Sequence, residues 1–397
     1  RDIIIEVYLL LFKCIFNLFK LIGTKEKVTF VVSFGDNSTF VYNELKNYLD
    51  NKQIIFLKKK GSKIDHYKIS GATLIPFETF NVVAMFKSIY HLATSKYILV
   101  DNYFAFLSCV KFNDSVQCIQ LWHAVGAIKK FGLKDRSIEF RTRIARRRFK
   151  NVYRKFNKIV VGSDAMANIF IEAFGLSNEN ILRTGIPRTD LFYDRELKKS
   201  AINNVKSSIK LDENKKVILY APTYREKELS NYNIRLDLDL LYRELKNNYI
   251  LLVKLHPVLK CQMNKIDSLY SDFIINVTDY PNINELLLVT DYLITDYSSI
   301  PFEFALLNKP MIFFPYDLED YKNDRGLWGE YERLVPGPIL FSSKDIVRCI
   351  KENNFDLSKI RDFSYRWNAY SQGNSSRNLV NFLFQDKSSY EFIREVL

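Results

Sequence analysis

Residues Val289–Ala305 read VTDYLITDYSSIPFEFA. The run Tyr292–Thr295 is apolar on both faces, which is typical of a parallel strand covered by helices. Ser298 and Ser299 follow this run, and the apolar stretch behind them predicts a helix that begins at the two serines. A strand, a polar turn and a helix in this order predict the repeating unit of an α/β fold.

Comparable apolar runs alternate with amphipathic stretches along the 397 residues. A chain of this length suits two domains rather than one core, and the polar stretch Lys198–Lys216 separates two series of runs. We therefore predict two α/β domains, 25–195 and 196–397, that face a cleft and bind ligands at the carboxyl ends of their strands. The predicted strands are Val28–Phe34, Ile54–Lys58, Tyr97–Asn102, Cys118–Trp122, Ile159–Gly162, Val217–Ala221, Ile250–Leu255, Phe273–Val277, Tyr292–Thr295 and Met311–Pro315.

The N-terminal segment 1–24 is nearly continuous in apolar residues, with Asp2, Glu6, Lys13 and Lys20 as interruptions. It has neither the basic start nor the small-residue cleavage site of a secretory signal. Its charges are also too many for a typical membrane-spanning helix. We interpret it as a helix that lies in or against the membrane interface, with a helix buried in the core as the alternative.

The segment Arg141–Lys158 carries nine Lys and Arg residues interleaved with Ile, Phe, Val and Tyr. A basic amphipathic helix is typical of elements that bind an anionic membrane surface, and the net charge of +13 also favours an anionic partner. A solvated charged face is the alternative. Because no recognised nucleic-acid-binding module surrounds the segment, we do not expect nucleic acid as the partner.

Several classes of protein are disfavoured by what the sequence lacks. The five cysteines are scattered and include no CxxC pair, which argues against a disulfide framework or a zinc site and favours reduced thiols in the cytoplasm. The sequence contains no GxxxxGK[ST], GxGxxG or HExxH pattern. An ATPase, a standard dinucleotide enzyme and a zincin are therefore not expected.

Two of the four histidines end predicted strands, one in each domain. His123 lies in Leu121–Gly132, directly after a strand, and His256 ends the strand of Leu252–Pro257, where the proline fixes the turn. An imidazole takes up a proton near neutral pH, so both histidines are candidates for contact with a ligand. A histidine satisfied by the backbone at a strand end is the alternative in each case.

Three further segments supply groups that suit a phosphate or a ribose. Tyr220–Arg225 and Thr184–Asp190 bring hydroxyl and guanidinium groups to strand ends. The hydroxyls and free N–H groups of Ser298 and Ser299, at the start of a helix, are suited to a phosphate. Simple capping of that helix is the alternative.

The segments from about residue 95 to residue 375 together resemble the CDP-glycerol glycerophosphotransferase family of teichoic-acid synthesis. The order of the Trp-His, Ala-Pro-Thr, His-Pro and Asp-Tyr-Ser-Ser segments matches that family. The resemblance implies two Rossmann-like domains that face a cleft, as in GT-B glycosyltransferases, with the nucleotide donor mainly on the C-terminal domain. Its most specific residues are Thr295–Ser299, Phe302-Glu303, Lys309-Pro310, Tyr316-Asp317 and Arg325-Gly326.

The resemblance also implies roles for individual residues. His123 matches the family's proposed catalytic base, and His256 matches its second essential histidine. Ser298 and Ser299 match the contacts to the donor phosphate. The other residues expected to bind substrate are Ala124, Val125, Gly126, Ala127, Arg188, Pro222, Thr223, Lys254, Leu255 and Glu303.

The first motif departs from the polymerising members of the family, which commonly read WHGTPLK. This chain reads WHAVGAIK from Trp122 to Lys129. With the short N-terminal region, the difference resembles the priming branch, which adds the first glycerol phosphate to an undecaprenyl-diphosphate-linked N-acetylmannosamine–N-acetylglucosamine disaccharide. The alternatives are a glycerol- or ribitol-phosphate polymerase, a GT-B enzyme that uses a nucleotide sugar, and a non-enzymatic basic membrane or nucleic-acid binder.

The reaction that the resemblance implies is an in-line attack by an acceptor hydroxyl on the β-phosphorus of CDP-glycerol, with release of CMP. His123 would accept the hydroxyl proton, the Ser298–Ser299 turn would hold the diphosphate, and His256 would stabilise or protonate the departing phosphate. We expect no metal and no cofactor, because a cationic protein site can supply the charge. Since the acceptor's polyprenyl tail stays in the bilayer, we expect a peripheral protein at the cytoplasmic face of the bacterial cell membrane.

Overall fold

The structure is a computed structural model that describes residues 2–62, 64, 69–225, 234–256 and 269–394. The chain forms two compact units, and each is built around its own parallel sheet. The first unit comprises Arg1–Val125, Phe131–Asp190 and Ala369–Leu397, and the second comprises Gly126–Lys130 and Leu191–Asn368. The predicted α/β class with two parallel sheets is confirmed.

Every strand pair in the two sheets is parallel. Parallel neighbours need long connections that cross over the sheet, and helices supply most of them here. The strands in chain order are β1 (Lys25–Val32), β2 (Ile54–Lys59), β3 (Thr73–Phe77), β4 (Ser95–Val100), β5 (Gln117–Gln120), β6 (Lys158–Val160), β7 (Ile181–Leu182), β8 (Lys216–Tyr220), β9 (Tyr249–Val253), β10 (Ile274–Asn276), β11 (Tyr292–Thr295) and β12 (Met311–Phe313).

The α-helices of the described residues follow in chain order as α1 (Asp2–Lys20), α2 (Asp36–Leu45), α3 (Val82–Thr94), α4 (Arg143–Tyr153), α5 (Asp164–Phe174), α6 (Arg195–Ser208), α7 (Leu238–Leu245), α8 (Ile283–Val289), α9 (Ile300–Phe304), α10 (Leu318–Arg325), α11 (Tyr331–Leu334), α12 (Ser343–Glu352), α13 (Leu357–Asn368) and α14 (Ser375–Arg394).

The sheet of the first unit has the order β3-β2-β1-β4-β5-β6-β7, so the strand order reverses between β1 and β4. Phe30 on β1 pairs in register with Phe56 and Leu99 on the flanking strands, and the rings of Phe30 and Phe56 stack at 4.5 Å. All three residues are fully buried, because helices cover both faces of the sheet.

The sheet of the second unit has the order β10-β9-β8-β11-β12, and its strand order reverses between β8 and β11. Ile218, Leu251, Ile294 and Ile312, one from each of four adjacent strands, belong to one buried apolar cluster. The carboxyl edge beside such a reversal is where open parallel sheets bind their ligands.

All ten predicted strands are present, with ends that differ by up to a few residues. Strands β3 and β7 are not predicted from the sequence. Strand β3 contains Pro76 and lies at an edge of its sheet, where proline is tolerated but weakens the pattern of a strand. Strand β7 has only two residues, which is too short for any periodicity to indicate it.

The C-terminal segment 369–397, which the sequence placed in the second domain, clusters with the first unit. Helix α14 packs on α2, and the ring of Phe384 stacks on Tyr48 at 5.4 Å. The chain therefore returns to the first unit after completing the second.

Helix α1, predicted from its apolar run, buries one face and exposes apolar residues on another. Leu9, Phe12 and Phe16 are at most 3% exposed, and the rings of the two phenylalanines pack on Phe106 and Phe112. Its exposed apolar residues include Ile3, Ile4, Val7, Leu10, Leu11 and Leu18. Within the described part of the chain, no helix has the length and apolar character required to cross a membrane.

Helix α4 is the predicted basic helix, and one of its arginines ties it to α1. Arg148 is 9% exposed and donates hydrogen bonds to Glu6 at 2.8 Å and to Asp2 at 3.1 Å. Asp2 also accepts from the hydroxyl of Thr142 at 2.7 Å. The basic residues of α4 that remain exposed are Arg143, Arg146, Arg147 and Lys150.

Candidate active site

Most of the residues assigned to the site lie at the carboxyl ends of strands. In the first unit, His123 follows β5. In the second unit, Pro222 and Thr223 follow β8, His256 follows β9, and Ser298 follows β11. Because parallel strands end at a common edge, the residues of the second unit lie along one edge of its sheet.

The imidazole of His123 lies between two aromatic rings and is bonded to a backbone carbonyl. Phe34 and Trp122 stack on it with centroid distances of 4.1 and 4.3 Å. Its Nδ1 lies 3.1 Å from the carbonyl oxygen of Asp101. Since a carbonyl only accepts hydrogen bonds, Nδ1 is the donor, and in the neutral ring the lone pair is therefore on Nε2. This tautomer makes Nε2 the basic atom.

The turn that carries His123 is fixed by Asn37 of α2. The side-chain amide of Asn37 donates to the carbonyls of Leu121 and Trp122 at 3.2 and 2.9 Å, and its oxygen accepts the backbone N–H of Arg188 at 3.1 Å. Trp122 has a φ of +55°, a left-handed conformation that bulky residues rarely adopt. Asn37 therefore stabilises a strained turn next to the histidine.

Arg188 contacts His123 within the first unit. It is 6% exposed, and its Nη1 donates to the backbone carbonyl of His123 at 2.8 Å. The structure thus brings together two residues that the resemblance assigned to the site. The contact runs through the main chain of His123, so it positions the histidine.

The segment Ala124–Ala127 presents little side chain. Val125 is fully buried in the first unit, and Ala127 is 8% exposed in the second. At Gly126, an added Cβ would lie 2.3 Å from the ring of Phe302 in the second unit, so the packing there requires glycine. At Val125, Gly126 and Ala127, a ligand could therefore be contacted only through the backbone. Ala124, the first residue of the segment, is half-buried.

In the second unit, Asp296 holds the turn that follows β8. It is 1% exposed, directly follows β11, and accepts the backbone N–H groups of Thr223 at 2.8 Å and Tyr297 at 2.6 Å. The hydroxyl of Thr295 donates to the carbonyl of Ala221 at 2.6 Å. These bonds tie the ends of β8 and β11 side by side, and they fix the loop that carries the predicted Pro222-Thr223 pair.

Arg225 lies beside Asp296 and is bonded to two carboxylates. It donates to Asp296 at 2.9 Å and, through Nε and Nη2, to Asp317 at 2.8 and 2.9 Å. Burial alone would lower the pKa of Arg225, but the bonds to Asp317 and the charge of Asp296 raise it well above its usual range. Three aromatic rings lie 4.9 to 5.2 Å from the guanidinium carbon, those of Tyr297, Tyr316 and Tyr321. The Arg225 guanidinium, which the sequence predicts to bind a phosphate or a ribose, is thus hydrogen-bonded to two aspartates.

Ser298 and Ser299 lie between β11 and the short helix α9. The backbone N–H of Ile300 donates to Ser298 Oγ at 3.2 Å, so this serine caps the helix start. The Ser299 side chain makes no capping bond, and both serines are half-buried. Glu303, on the same helix, is 3% exposed. Because α9 has five residues, its dipole is small, and the polar groups of the turn itself are what a phosphate would contact.

The three predicted residues after β9 have different environments. The Lys254 ammonium donates to the carbonyl of Thr278 at 2.7 Å, and Leu255 is 3% exposed in the apolar core. His256 is exposed, and its ring stacks on Tyr224 at 4.6 Å. Partial desolvation lowers the pKa of His256, so its imidazole is mainly neutral at pH 7.

Three residues that shape these sites have no role predicted from the sequence, namely Asn37, Asp101 and Asp296. A signal for the two aspartates was present, because each directly follows the apolar run of a buried strand, Tyr97–Val100 or Tyr292–Thr295. A carboxylate at that place is well positioned to accept hydrogen bonds from the turn after the adjacent strand. Asn37 follows no such pattern, and only the fold shows its role.

Comparison with known proteins identifies the class of enzyme. A family model of glycerophosphotransferases matches residues 15–385, which is most of the chain. The chain belongs to the CDP-Glycerol:Poly(glycerophosphate) glycerophosphotransferase family. The resemblance found from the sequence motifs is therefore confirmed, and so is the prediction that the chain is an enzyme of this family.

Two curated relatives and one solved structure illustrate the relationship. The teichoic acid glycerol-phosphate primase of Bacillus subtilis (strain 168) is 37% identical over 96% of this chain and 98% of that protein. The teichoic acid poly(ribitol-phosphate) polymerase of Bacillus spizizenii (strain ATCC 23059 / NRRL B-14472 / W23) is 35% identical over 94% of this chain and 58% of that protein. The wall teichoic acid polymerase TagF has a TM-score of 0.79 at 24% identity, covering 95% of this chain and 94% of that one, which shows a shared fold.

Proposed function

We propose that the chain primes teichoic-acid synthesis by transferring sn-glycerol 3-phosphate from CDP-glycerol to an undecaprenyl-diphosphate-linked N-acetylmannosamine–N-acetylglucosamine disaccharide, with release of CMP. The observation that carries the proposal is the geometry of His123, which presents Nε2 as a basic nitrogen. The 37% identity to a glycerol-phosphate primase supports the priming reaction.

In the proposed reaction, the acceptor hydroxyl attacks the β-phosphorus in line and loses its proton to Nε2 of His123. The bond from the β-phosphorus to the bridging oxygen breaks, and that oxygen leaves with CMP. The imidazolium that forms is stabilised by the Asp101 carbonyl at Nδ1 and by the stacked rings of Phe34 and Trp122. The proton then passes to solvent and regenerates the base.

The second unit supplies the proposed contacts to the donor. The turn of Ser298 and Ser299 offers hydroxyl and backbone N–H groups to the diphosphate, and the buried hydroxyl of Thr223 lies beside Asp296 after β8. His256, mainly neutral at pH 7, donates an N–H to the departing phosphate. Asp296 positions the Thr223 backbone in this scheme and does not contact the donor.

Product mass tests the proposed reaction directly. The protein is incubated with CDP-glycerol and the lipid-linked disaccharide, and CMP release and the mass of the lipid product are measured. We expect one glycerol phosphate to be added per acceptor. A ladder of products would identify a polymerase, and turnover only with CDP-ribitol or a nucleotide sugar would contradict the proposed donor.

The role of His123 is tested by His123→Gln, because glutamine keeps a polar side chain but cannot accept the proton. We expect kcat to fall by about 10²- to 10⁴-fold, with donor binding measured separately by calorimetry and largely retained. The matched control is His91→Gln on α3, where burial lowers the pKa of the imidazole to about 4 and keeps it neutral. Equal kcat values for His123→Gln and His91→Gln would show that His123 is not the base.

We further propose that an anionic bilayer binds the surface formed by the exposed apolar residues of α1 and the exposed basic residues of α4, hereafter the α1–α4 surface. Arg148 joins the two helices through Asp2 and Glu6, so the apolar and basic parts belong to one rigid surface. Apolar side chains that enter the interface and arginines that meet lipid phosphates are the two contributions such binding needs.

Vesicle binding of a Leu10→Gln/Leu11→Gln variant tests this surface. Both leucines are about 60% exposed, so their replacement leaves the core intact, whereas deletion of α1 would also remove the buried Phe12 and Phe16. We expect binding to vesicles that contain phosphatidylglycerol to weaken about tenfold or more, since each buried leucine contributes up to about 2 kcal/mol. The control is Leu197→Gln on α6, which is 43% exposed. Equal binding by both variants would contradict the proposed surface.

A further inference from the structure

Asp101, directly after β4, holds the turn that follows β1. Asp101 is 1% exposed, and its carboxylate accepts the backbone N–H groups of Ser33, Phe34 and Gly35 at 2.8, 2.9 and 2.8 Å. Within the described part of the chain, no Lys or Arg side chain is bonded to it. Burial raises the pKa of Asp101 to about 6 against the opposing effect of these three bonds, so the group is ionised at neutral pH.

The same residue contacts the environment of His123 in two ways. Its carbonyl oxygen accepts from Nδ1 of His123 at 3.1 Å, which fixes the tautomer. Its carboxylate holds the N–H of Phe34, whose ring stacks on the imidazole at 4.1 Å with an interplanar angle of 19°. The main chain of Asp101 thus determines which nitrogen carries the proton, and its side chain determines the plane in which the ring lies.

We infer that Asp101 is a positioning residue that, through its carbonyl and through Phe34, holds His123 in the Nδ1–H tautomer with Nε2 as the proton acceptor. The catalytic part of this inference rests on the proposed function, whereas the tautomer is a property of the protein alone. The competing explanation is that Asp101 only stabilises the turn after β1. That explanation predicts a loss of stability with an unchanged imidazole.

The variant Asp101→Asn separates these explanations. The amide keeps the shape of the side chain but turns an N–H₂ group toward Ser33 or toward Phe34 and Gly35, so at least one of the three hydrogen bonds is lost and the turn that carries Phe34 shifts. A base misplaced by about 1 Å can lose about 100-fold in rate. We therefore expect kcat to fall by about 10- to 100-fold, with KM for CDP-glycerol changed by less than about threefold.

The ¹⁵N chemical shifts of the His123 imidazole report its tautomer. They would not change if Asp101 only stabilised the turn after β1. The chain has four histidines, so ¹⁵N-labelled histidine gives signals from four imidazoles. The variants His66→Gln, His91→Gln and His256→Gln each remove one set of signals, and the remaining set is assigned to His123. We expect the wild-type His123 ring to show a protonated Nδ1 and an unprotonated Nε2 above its pKa. In Asp101→Asn, the carbonyl of residue 101 remains, but the shifted Phe34 ring tilts the imidazole and weakens its Nδ1 bond to that carbonyl. The two signals should therefore move toward the average of both tautomers.

The matched control is Asp190→Asn in the same unit. Asp190 is 8% exposed, and its carboxylate accepts the backbone N–H groups of Ser375 and Ser376 at 2.9 Å each, so it is also a buried carboxylate that holds a turn. This variant should lose stability and leave the His123 signals unchanged. Phe34→Leu, which removes the stacked ring and keeps the carboxylate, should move the signals in the same direction as Asp101→Asn.

The outcomes distinguish this inference from the proposed function. An Nε2–H tautomer in the wild type, or an Asp101→Asn variant with unchanged His123 signals, overturns the inference even if His123→Gln abolishes turnover. If His123→Gln keeps full turnover while Asp101→Asn shifts the tautomer, the positioning by Asp101 is supported and the proposed role of His123 as base is overturned.

Discussion

Each unit places a buried aspartate directly after the strand beside its first strand, Asp101 after β4 and Asp296 after β11. Both residues are 1% exposed, and both accept N–H groups from the turn after the adjacent strand, β1 or β8. They differ in their other partners. Asp296 is also bonded to Arg225, whereas the carboxylate of Asp101 is held by three backbone amides. The same position in the topology is thus stabilised in two electrostatically different ways.

This difference predicts different weaknesses in the two units. A buried ion network becomes very unfavourable when one partner is removed, because the remaining charge stays in a medium of low polarity. In the first unit, the bonds of Asn37 join only amides and carbonyls, so their loss costs less, because the groups left unpaired are neutral. In the proposed function the pairing has a further advantage, since an uncompensated charge on Asp296 would repel the diphosphate that we propose binds at the neighbouring turn.

The largest effect is expected for Arg225→Ala. The change leaves the buried Asp296 and the half-buried Asp317 without their counter-ion, so the free energy of unfolding of the second unit should fall by about 3–5 kcal/mol. Denaturant unfolding followed by circular dichroism measures it. The control is Arg333→Ala, because Arg333 pairs with Glu330 where both side chains are more than 60% exposed. That variant should change stability by about 0–1 kcal/mol. Similar losses in both variants would contradict the importance of burial.

A smaller effect is expected for Asn37→Ala in the first unit. The change removes the partners of the Leu121 and Trp122 carbonyls and of the Arg188 backbone N–H. The unpaired groups are neutral, so the loss should be about 1–3 kcal/mol in the same unfolding measurement. Asn47→Ala, on an exposed residue just after α2, should be close to neutral. A loss larger than that of Arg225→Ala would reverse the proposed order of the two networks.

The smallest effect, counted per pH unit, is a pH slope that has opposite signs for Asp101 and Asp317. Burial, with the charge of Asp36, raises the pKa of Asp101 from 3.8 to about 6. Between these values the native protein keeps a proton that the unfolded chain has released, so stability falls as pH rises, by at most about 1.4 kcal/mol per pH unit. In the second unit, bonds from Arg225 outweigh burial and lower the pKa of Asp317, so its contribution is lost only below pH 3.8.

Unfolding free energies of the wild type and Asp101→Asn at pH 4, 5, 6 and 7 measure this slope. The wild-type values should fall relative to those of the variant as the pH rises from 4 to 6, and the two curves should run parallel above that. Parallel curves over the whole range would show that Asp101 does not hold its proton in the native state.

Much of the fold could be predicted because it follows from local patterns. Apolar runs such as Ile250–Leu255 are too short for helices and too continuous for a solvated strand, and they indicated buried parallel strands correctly. The glycerophosphotransferase family could be identified because its motifs lie at strand ends, where chemistry rather than packing selects the residues. Strand β7, with two residues, offered no pattern to detect.

The partners of the site side chains could not be predicted, because they depend on contacts between distant residues. Nothing local in the sequence indicates that Arg225 lies against Asp317, 92 residues away, or that Asn37 bonds to the turn before His123. Gly126 is similar, because its requirement for glycine comes from the ring of Phe302. In each case the residue type was visible in the sequence, and its role became clear only in the folded chain.

One face of helix α1 packs in the core of the first unit. In the proposed function, its other face binds the bilayer. Because lipid would then bind the folded protein and not the unfolded chain, vesicles would act as a ligand that raises the melting temperature in proportion to the logarithm of their concentration. Without lipid, the exposed residues from Ile3 to Leu18 form an apolar patch of the kind that promotes self-association. Purification in detergent or with vesicles should therefore yield a more stable and less aggregated enzyme than purification in plain buffer.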